Sequence, residues 1–319
     1  MSAHDRSRLV PAGDPFTGEV PGTPAPRHTA ATLIDISHRL QPRDYTIAVL
    51  LDEHTTLTTT HLAAVLFDSD TTCRHRLQLL RRLRFVDRFI RNRPGAPNPV
   101  CWLPGPLAAR YTALARGGIP PTGRALRERQ DRVHASPTLE HLLAVNDVFV
   151  ALLAHTRHAP GTALLRWWSE RSTTAAFGRR IKPDGHGVWA AAGQETGFFL
   201  ELDRGTEPIS RLVDKLASYR KLRAEGGPLY PVLYALPSRV REQHLHRRLA
   251  DRPEPTLVIA TTSPESGPGP AGPVWRLAGN GRHRITLAEL PSSHGQPGPL
   301  APGPAQPDEH PLRLLHPTR

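Results

Sequence analysis

Lysine is scarce in this chain, and its three copies sit among acids. Of forty-one basic residues only Lys182, Lys215 and Lys221 are lysine. All three fall between Arg179 and Leu222, in RRIKPDGHGVWAAAGQETGFFLELDRGTEPISRLVDKLASYRKL. Arginine is a planar fork that stays charged, whereas lysine is a compact charge whose pKa its surroundings can tune. The same stretch holds Asp184, Glu201 and Asp203. Glu201 and Asp203 lie two apart at the end of an apolar run, so on a strand both point to one face. Asp184 stands at the mouth of the preceding run and comes near that face if the two runs pair. Three converging carboxylates repel one another unless a cation neutralises them, and Mg²⁺ takes such an oxygen environment. Asp184 and Glu201 are the candidate ligands, with Asp203 as a third acid. A nearby lysine can orient a water or stabilise charge developing on a phosphoryl group. Lys215 is the first candidate and Lys182, beside Asp184, the second. A structural reading stands beside the chemical one. Asp203–Thr206 can be a turn into a helix capped by Thr206, with Glu207 in the first turn, Asp214 and Lys215 solvated, and Tyr219 in the core.

The elements that would carry this cluster are legible from Leu139 onward. LEHLLAVNDVFVALLAHTRHA reads as an amphipathic helix, and the aromatic residues of LLRWWSER favour a strand. Gly187–Ala192 and Gly197–Asp203 read as strands joined through GQET as a hairpin. Glu207–Leu222 is a helix, with Ile209, Leu212, Val213, Leu216 and Tyr219 at helical spacing. Pro231–Leu236 is a strand, Ser238–Leu249 a basic helix and Thr256–Thr261 a buried strand. His244 and His246 spell a His-apolar-His pair, but in a helix two-apart residues diverge by roughly 200°. His141 and Asn146 fit supporting contacts.

An earlier block, Leu40 to Gly117, has a different order. Tyr45–Glu53 wraps as a buried helix. Thr58 can cap a helix over TTHLAAVLF, and Asp68 or Ser69 can cap the next, DTTCRHRLQLLRRLRF. Leu77, Leu80 and Leu83 give that helix its buried stripe. Val86–Arg91 and Pro99–Leu103 read as two strands around a turn-rich loop, and Gly105–Arg116 as a closing helix. Three helices followed by a β-hairpin are the order of a winged helix-turn-helix. The third helix offers Arg74, His75, Arg76, Gln78, Arg81 and Arg82 as outward groups for a major groove. The hairpin offers Arg88, Arg91, Asn92 and Arg93 for phosphates. Residues 68–93 carry eight arginines against three acids. Such a face also suits a protein-protein module.

The segments are therefore 1–37 disordered, 38–117 winged helix-turn-helix, 118–138 linker, 139–263 α/β domain, and 264–319 a mostly disordered tail with a docked piece at 274–290. The whole is α+β in front and α/β behind. A net charge of +12 and a pI near 10.8 favour polyanion partners, with duplex DNA first. Cys73 and Cys101 form no metal or redox motif, which fits a reduced, cytoplasmic setting. No window of eighteen apolar residues points to a membrane span, and no Gly-Lys-Ser/Thr loop points to ATP.

Pro183-Asp184 followed by Glu201-x-Asp203 resembles the core of PD-(D/E)xK nucleases. The run LTTTHLAAVLF…RLQLLRRLRFVDR, then HLLAVND, then KPDG…FFLELDRGTEPISRLVDKLASYR resembles the replication-relaxation family of bacterial plasmid and mobile-element proteins over roughly residues 40 to 290. The resemblance implies a restriction-endonuclease-like second domain and a role in plasmid replication and relaxation of supercoiled DNA. The first functional reading is a DNA-binding protein of such an element that nicks DNA with Mg²⁺ at Asp184, Glu201 and Asp203, assisted by Lys215. Position 203 carries Asp where the nuclease pattern has lysine, so lysine must come from the following helix. The rival reading is a non-catalytic regulator that uses this domain for dimerisation, as a homodimer, or for docking replication or transfer proteins.

Overall fold

Small polar residues open the helices of the front block. In the computed structural model, which describes residues 32–92, 95, 98–279 and 281–315, Thr32 caps α1 (Leu33–Ser37). The disorder expected over 1–37 otherwise lies outside the described residues, and Thr32–Ser37 is instead an ordered, capped turn of helix. Pro42 starts α2 (Pro42–His54) at a position where a missing N–H costs nothing. Thr58, in β1 (Leu57–Thr58), accepts the His61 N–H at 3.1 Å and caps α3 (Thr59–Leu66). Ser69 caps α4 (Asp70–Arg82), which buries Cys73, Leu77 and Leu80. β2 (Val86–Ile90), β3 (Val100–Pro104) and α5 (Pro106–Ala115) follow. The three strands form one antiparallel sheet in the order β1-β3-β2, with Leu57 opposite Trp102 and Phe89 opposite Cys101.

The expected linker contains a helix, α6 (Gly123–His134). Leu126 is its one buried residue, so an apolar period could not reveal it. Arg129 ties it to Asp52 at 3.3 Å, and Gln130 donates to the Pro104 carbonyl at 3.0 Å.

Behind this block lies a six-stranded sheet in the order β4-β5-β6-β7-β8-β9. α7 (Leu139–Thr156) leads into β4 (Ala163–Ser169), then α8 (Glu170–Ala176), a short helix that the sequence reading did not place. β5 (Gly185–Ala191) and β6 (Gln194–Leu202) form the hairpin. Its turn is Ala192–Gly193, both left-handed at φ 51° and 73°. Gln194, Glu195 and Thr196 pair within the strand rather than forming the connection. Left-handed residues at both turn positions match the twist of a two-residue hairpin. α9 (Ile209–Ala224), β7 (Val232–Ala235), α10 (Arg239–Asp251) and β8 (Ile259–Thr262) continue the chain, and β9 (Arg276–Leu277) closes the edge. β4, β5 and β6 are antiparallel neighbours, whereas β6, β7 and β8 are parallel.

The alternation along β6 assigns the two faces. Phe198 stacks on Phe149 of α7 at 5.8 Å, and Phe199 meets Tyr219 of α9 at 5.4 Å. One face is covered by α7, the other by α9 and α10 with Leu212, Leu216, Leu245 and Leu249. α7 is eighteen residues long with a mean hydropathy of 1.2, enough by length and composition to cross a membrane. Its packing is that of a core helix. It lies against α3, β4 and β6, and Phe149 and Leu152 join a single apolar cluster running from Leu50 and Leu77 to Leu200 and Leu233. The two compositional blocks thus share one core.

The tail differs from the expectation for 264–319. Val274, Trp275, Leu287, Leu290, Ala301 and Leu312 are buried, and only 280 and 316–319 lie outside the described residues. Proline-rich chain has few N–H groups to satisfy, so it packs as irregular coil wherever spaced aliphatics anchor it.

Candidate functional site

β6 ends where the sheet changes from antiparallel to parallel pairing, and a cleft of ≈ 780 Å³ opens there. His54, His141, Lys182, Asp184, Asp203 and Lys215 are among its walls. Gly185 pairs with Leu200, which sets Asp184 beside Glu201 on the neighbouring strand. Glu201 has the same parity as Phe199 and so faces α9. Lys215, in the second turn of that helix, donates to Glu201 Oε2 at 2.7 Å. Tyr219, four residues on and therefore on the same helix face, donates its hydroxyl to Oε1 at 2.6 Å. Asp184 accepts the Leu202 N–H at 2.7 Å with Oδ2, while His141 Nε2 lies 2.8 Å from Oδ1.

The electrostatics follow from this packing. Glu201 is 2 % exposed. Burial pushes its carboxyl pKa up and the Asp184 charge adds to that, against the opposing pull of Lys215. Burial works against the Lys215 charge, but Glu201 and Asp184 outweigh it and hold the ammonium above its ordinary pKa. The hydrogen bond to Asp184 likewise raises His141. Tyr219 is pushed well above the usual phenol range by burial beside Glu201. The cluster is a buried carboxylate, a second carboxylate at the cleft wall, a charged lysine and an imidazole whose pKa is raised by its carboxylate partner.

Across the cleft, the end of α2 adds Glu53 and His54. His54 stacks on Trp167 with ring centroids 3.6 Å apart, and burial lowers its pKa to about 4. Glu53 accepts both the backbone N–H and the hydroxyl of Ser169, at 3.1 and 2.8 Å.

Asp203 lines the cleft, but its partner is an arginine rather than the groups around Asp184 and Glu201. Its carboxylate is held by Arg241, with Nη2 at 3.1 Å from Oδ1, and accepts the Gly205 N–H at 2.9 Å. Arg241 also donates to the Glu207 carbonyl. Asp203 therefore shapes the turn between β6 and α9, and Gly205 takes the left-handed conformation there at φ 76°. α9 begins after Pro208 rather than at Thr206. Among the described residues no group of three or more His, Cys, Asp or Glu side chains has the geometry to hold a metal ion. The three converging carboxylates reduce to a pair, because an arginine thirty-eight positions away already neutralises the third. Lys182 pairs with Glu170 at 3.2 Å at the cleft rim, and Lys221 lies near Glu225 outside it.

Of the outward groups expected on α4, Arg74, Gln78, Arg81 and Arg82 are exposed. Arg74 is 3.5 Å from Asp70 and Arg81 is 4.0 Å from Asp87, both loose surface pairs. Arg76 is not an outward group. It turns into the body, where Nε meets Asp44 Oδ1 at 2.9 Å and Nη2 meets the Arg39 carbonyl at 2.8 Å. The cause is its place on the helix, about 200° from Arg74 and above the buried Asp44 of α2. In the hairpin, Arg88 lies over the Trp102 ring at 5.9 Å, and Arg91 pairs with Glu140 of α7 at 3.2 Å. Arg93 lies outside the described residues.

His54 and Glu53 were not singled out in the sequence, and no local motif marks them. His141 was assigned a supporting contact; its spacing from Asp184 gave no sign that α7 starts beside β5. His246 bonds Thr261 at 2.8 Å from within α10 while His244 is exposed, so the pair shares no site.

Fold and cleft together define a mixed helix-and-sheet protein with an acid-base cleft at the end of its inner strand and an arginine-rich helix in its front block. The chain belongs to the replication-relaxation family, whose family model matches residues 49–231, more than half its length. No curated protein and no solved structure matches it.

Proposed function

We propose that this chain is a cytoplasmic duplex-DNA-binding protein of plasmid or mobile-element replication. It grips DNA in winged helix-turn-helix fashion through α4 and the β2–β3 hairpin and nicks it with Mg²⁺ in the cleft. One observation carries the reading: Asp184, Glu201 and Lys215 meet at the end of β6 beside an open cleft. Two carboxylates on neighbouring strands suit such an ion, because Mg²⁺ is commonly held by one or two carboxylates with waters and substrate phosphates completing its shell. Asp184 and Glu201 would hold it, and it would supply charge stabilisation and an activated water for phosphodiester hydrolysis. Lys215 keeps a positive charge against the site, and His141 sits within hydrogen-bond distance of Asp184. The arrangement is PD-(D/E)xK-like, with the lysine taken from α9.

A second reading is favoured by a specific observation. Every acid of the cluster already has a protein partner: His141 on Asp184, Lys215 and Tyr219 on Glu201, Arg241 on Asp203. In that reading the sheet domain is an inactive scaffold for dimerisation or for docking replication or transfer proteins. Incubating supercoiled plasmid with the full chain and Mg²⁺ or Mn²⁺ separates the two. Open circle from the native chain but not from Asp184→Asn supports the nicking centre. Duplex binding without open circle in either metal supports the scaffold.

A further inference from the structure

The outer face of α10 is basic and lacks partners. Gln243, His244, Arg247 and Arg248 are exposed at positions that share one side of the helix. Along α10 the buried acid is already used, whereas Asp251 is exposed at the helix end. Glu242 is 1 % exposed and held by Arg284 at 2.6 Å, and Arg241 is committed to Asp203. Arg252 lies 3.9 Å from Asp214 and Arg239 donates to Glu265. Among the described residues Arg247 and Arg248 have no acid within ion-pair distance. They line a shallow recess of ≈ 500 Å³ with Ile209, His244 and one acid, Asp251, so the recess keeps a net positive charge. Adjacent arginine forks over an open recess offer the charge and the N–H donors that a phosphate backbone takes.

The layers of the fold separate this face from α4. α4 packs on α3, α3 on α7, and α7 on one face of the sheet, whereas α10 packs on the other face. α3, α7 and the sheet therefore link the two basic helices, which do not pack on each other.

We propose that the Arg247–Arg248 face of α10 is a second duplex-backbone contact, so that one chain holds two DNA segments at once, one on α4 and one on α10. This rests on the reading of α4 as a DNA-binding helix. It deepens that reading, since crossing segments are the form in which supercoiled DNA presents itself.

The test uses the full chain, a bead-bound duplex and a second, labelled duplex of unrelated sequence. The native chain should carry the labelled duplex onto the beads. The double variant Arg247→Glu, Arg248→Glu should reduce that recovery at least about tenfold, because both substitutions remove backbone charge neutralisation. Its affinity for a single duplex should stay within about twofold of native, and Arg247→Lys, Arg248→Lys should restore bridging. Bridging that persists after the charge reversal overturns the proposal, since two copies joined through their α4 faces would explain it. So does a native chain that binds one duplex and never recovers a second. A native chain that binds no duplex at all removes the α4 reading itself, a result distinguishable from both.

Discussion

Asp44 is wholly buried, and Arg76 meets it with a paired guanidinium from the helix that would face DNA. Arg76→Ala leaves that carboxylate without its partner and should cost about 3–5 kcal/mol in urea unfolding. Arg74→Ala, on the same helix but exposed, should cost less than about 0.5 kcal/mol. His54 gives a pH signature. Buried against Trp167 it titrates at about 4, below the ordinary histidine value of 6.5. The unfolded chain takes up the proton first, so stability is full above about 6.5 and falls as pH drops toward about 4. His54→Phe keeps the ring stack and should flatten that part of a melting-temperature-against-pH curve. At this scale the strand period set the face of Glu201, and the expected pairing of two runs brought Asp184 beside it, as the β5–β6 register does. The Asp203–Arg241 and Asp44–Arg76 pairs were illegible because each joins residues more than thirty positions apart.

α4 and the β2–β3 hairpin stood out in the sequence because the leucine spacing and strand alternation are strong and Ser69 supplies a cap. α6 did not, since it holds its place by Arg129 and Gln130 rather than by an apolar stripe. α8 is short and starts directly after a strand residue, Ser169, which caps it. In the β5–β6 hairpin the sequence showed both strands but misplaced the turn, because Ala192 is an unfavourable residue for the left-handed position it occupies. Ala192→Asn should therefore stabilise the protein by about 1 kcal/mol in denaturant titration, with no change in denaturant slope.

Arg166 is 1 % exposed in β4, yet its guanidinium is met by Glu309 at 2.6 Å and by the Gly303 and Pro304 carbonyls, all from the tail. Composition alone made that tail look unstructured, since proline-rich coil gives no period, and the aliphatics that anchor it are widely spaced. Glu309→Ala should destabilise the whole chain by about 3 kcal/mol, because the arginine stays buried without its acid. The front block, α7 and the sheet share one apolar cluster, so calorimetry should show one transition rather than two. The two proposals, nicking in the cleft and a second DNA segment on α10, both depend on a duplex first seated on α4. The most direct measurement is duplex affinity across a salt series for the native chain and for a variant with Arg74, Arg81 and Arg82 changed to alanine. The predicted result is tight binding at low salt by the native chain, and a log–log salt slope shallower by about 3 in the variant. Equal affinity and equal slope for the two proteins would contradict the account.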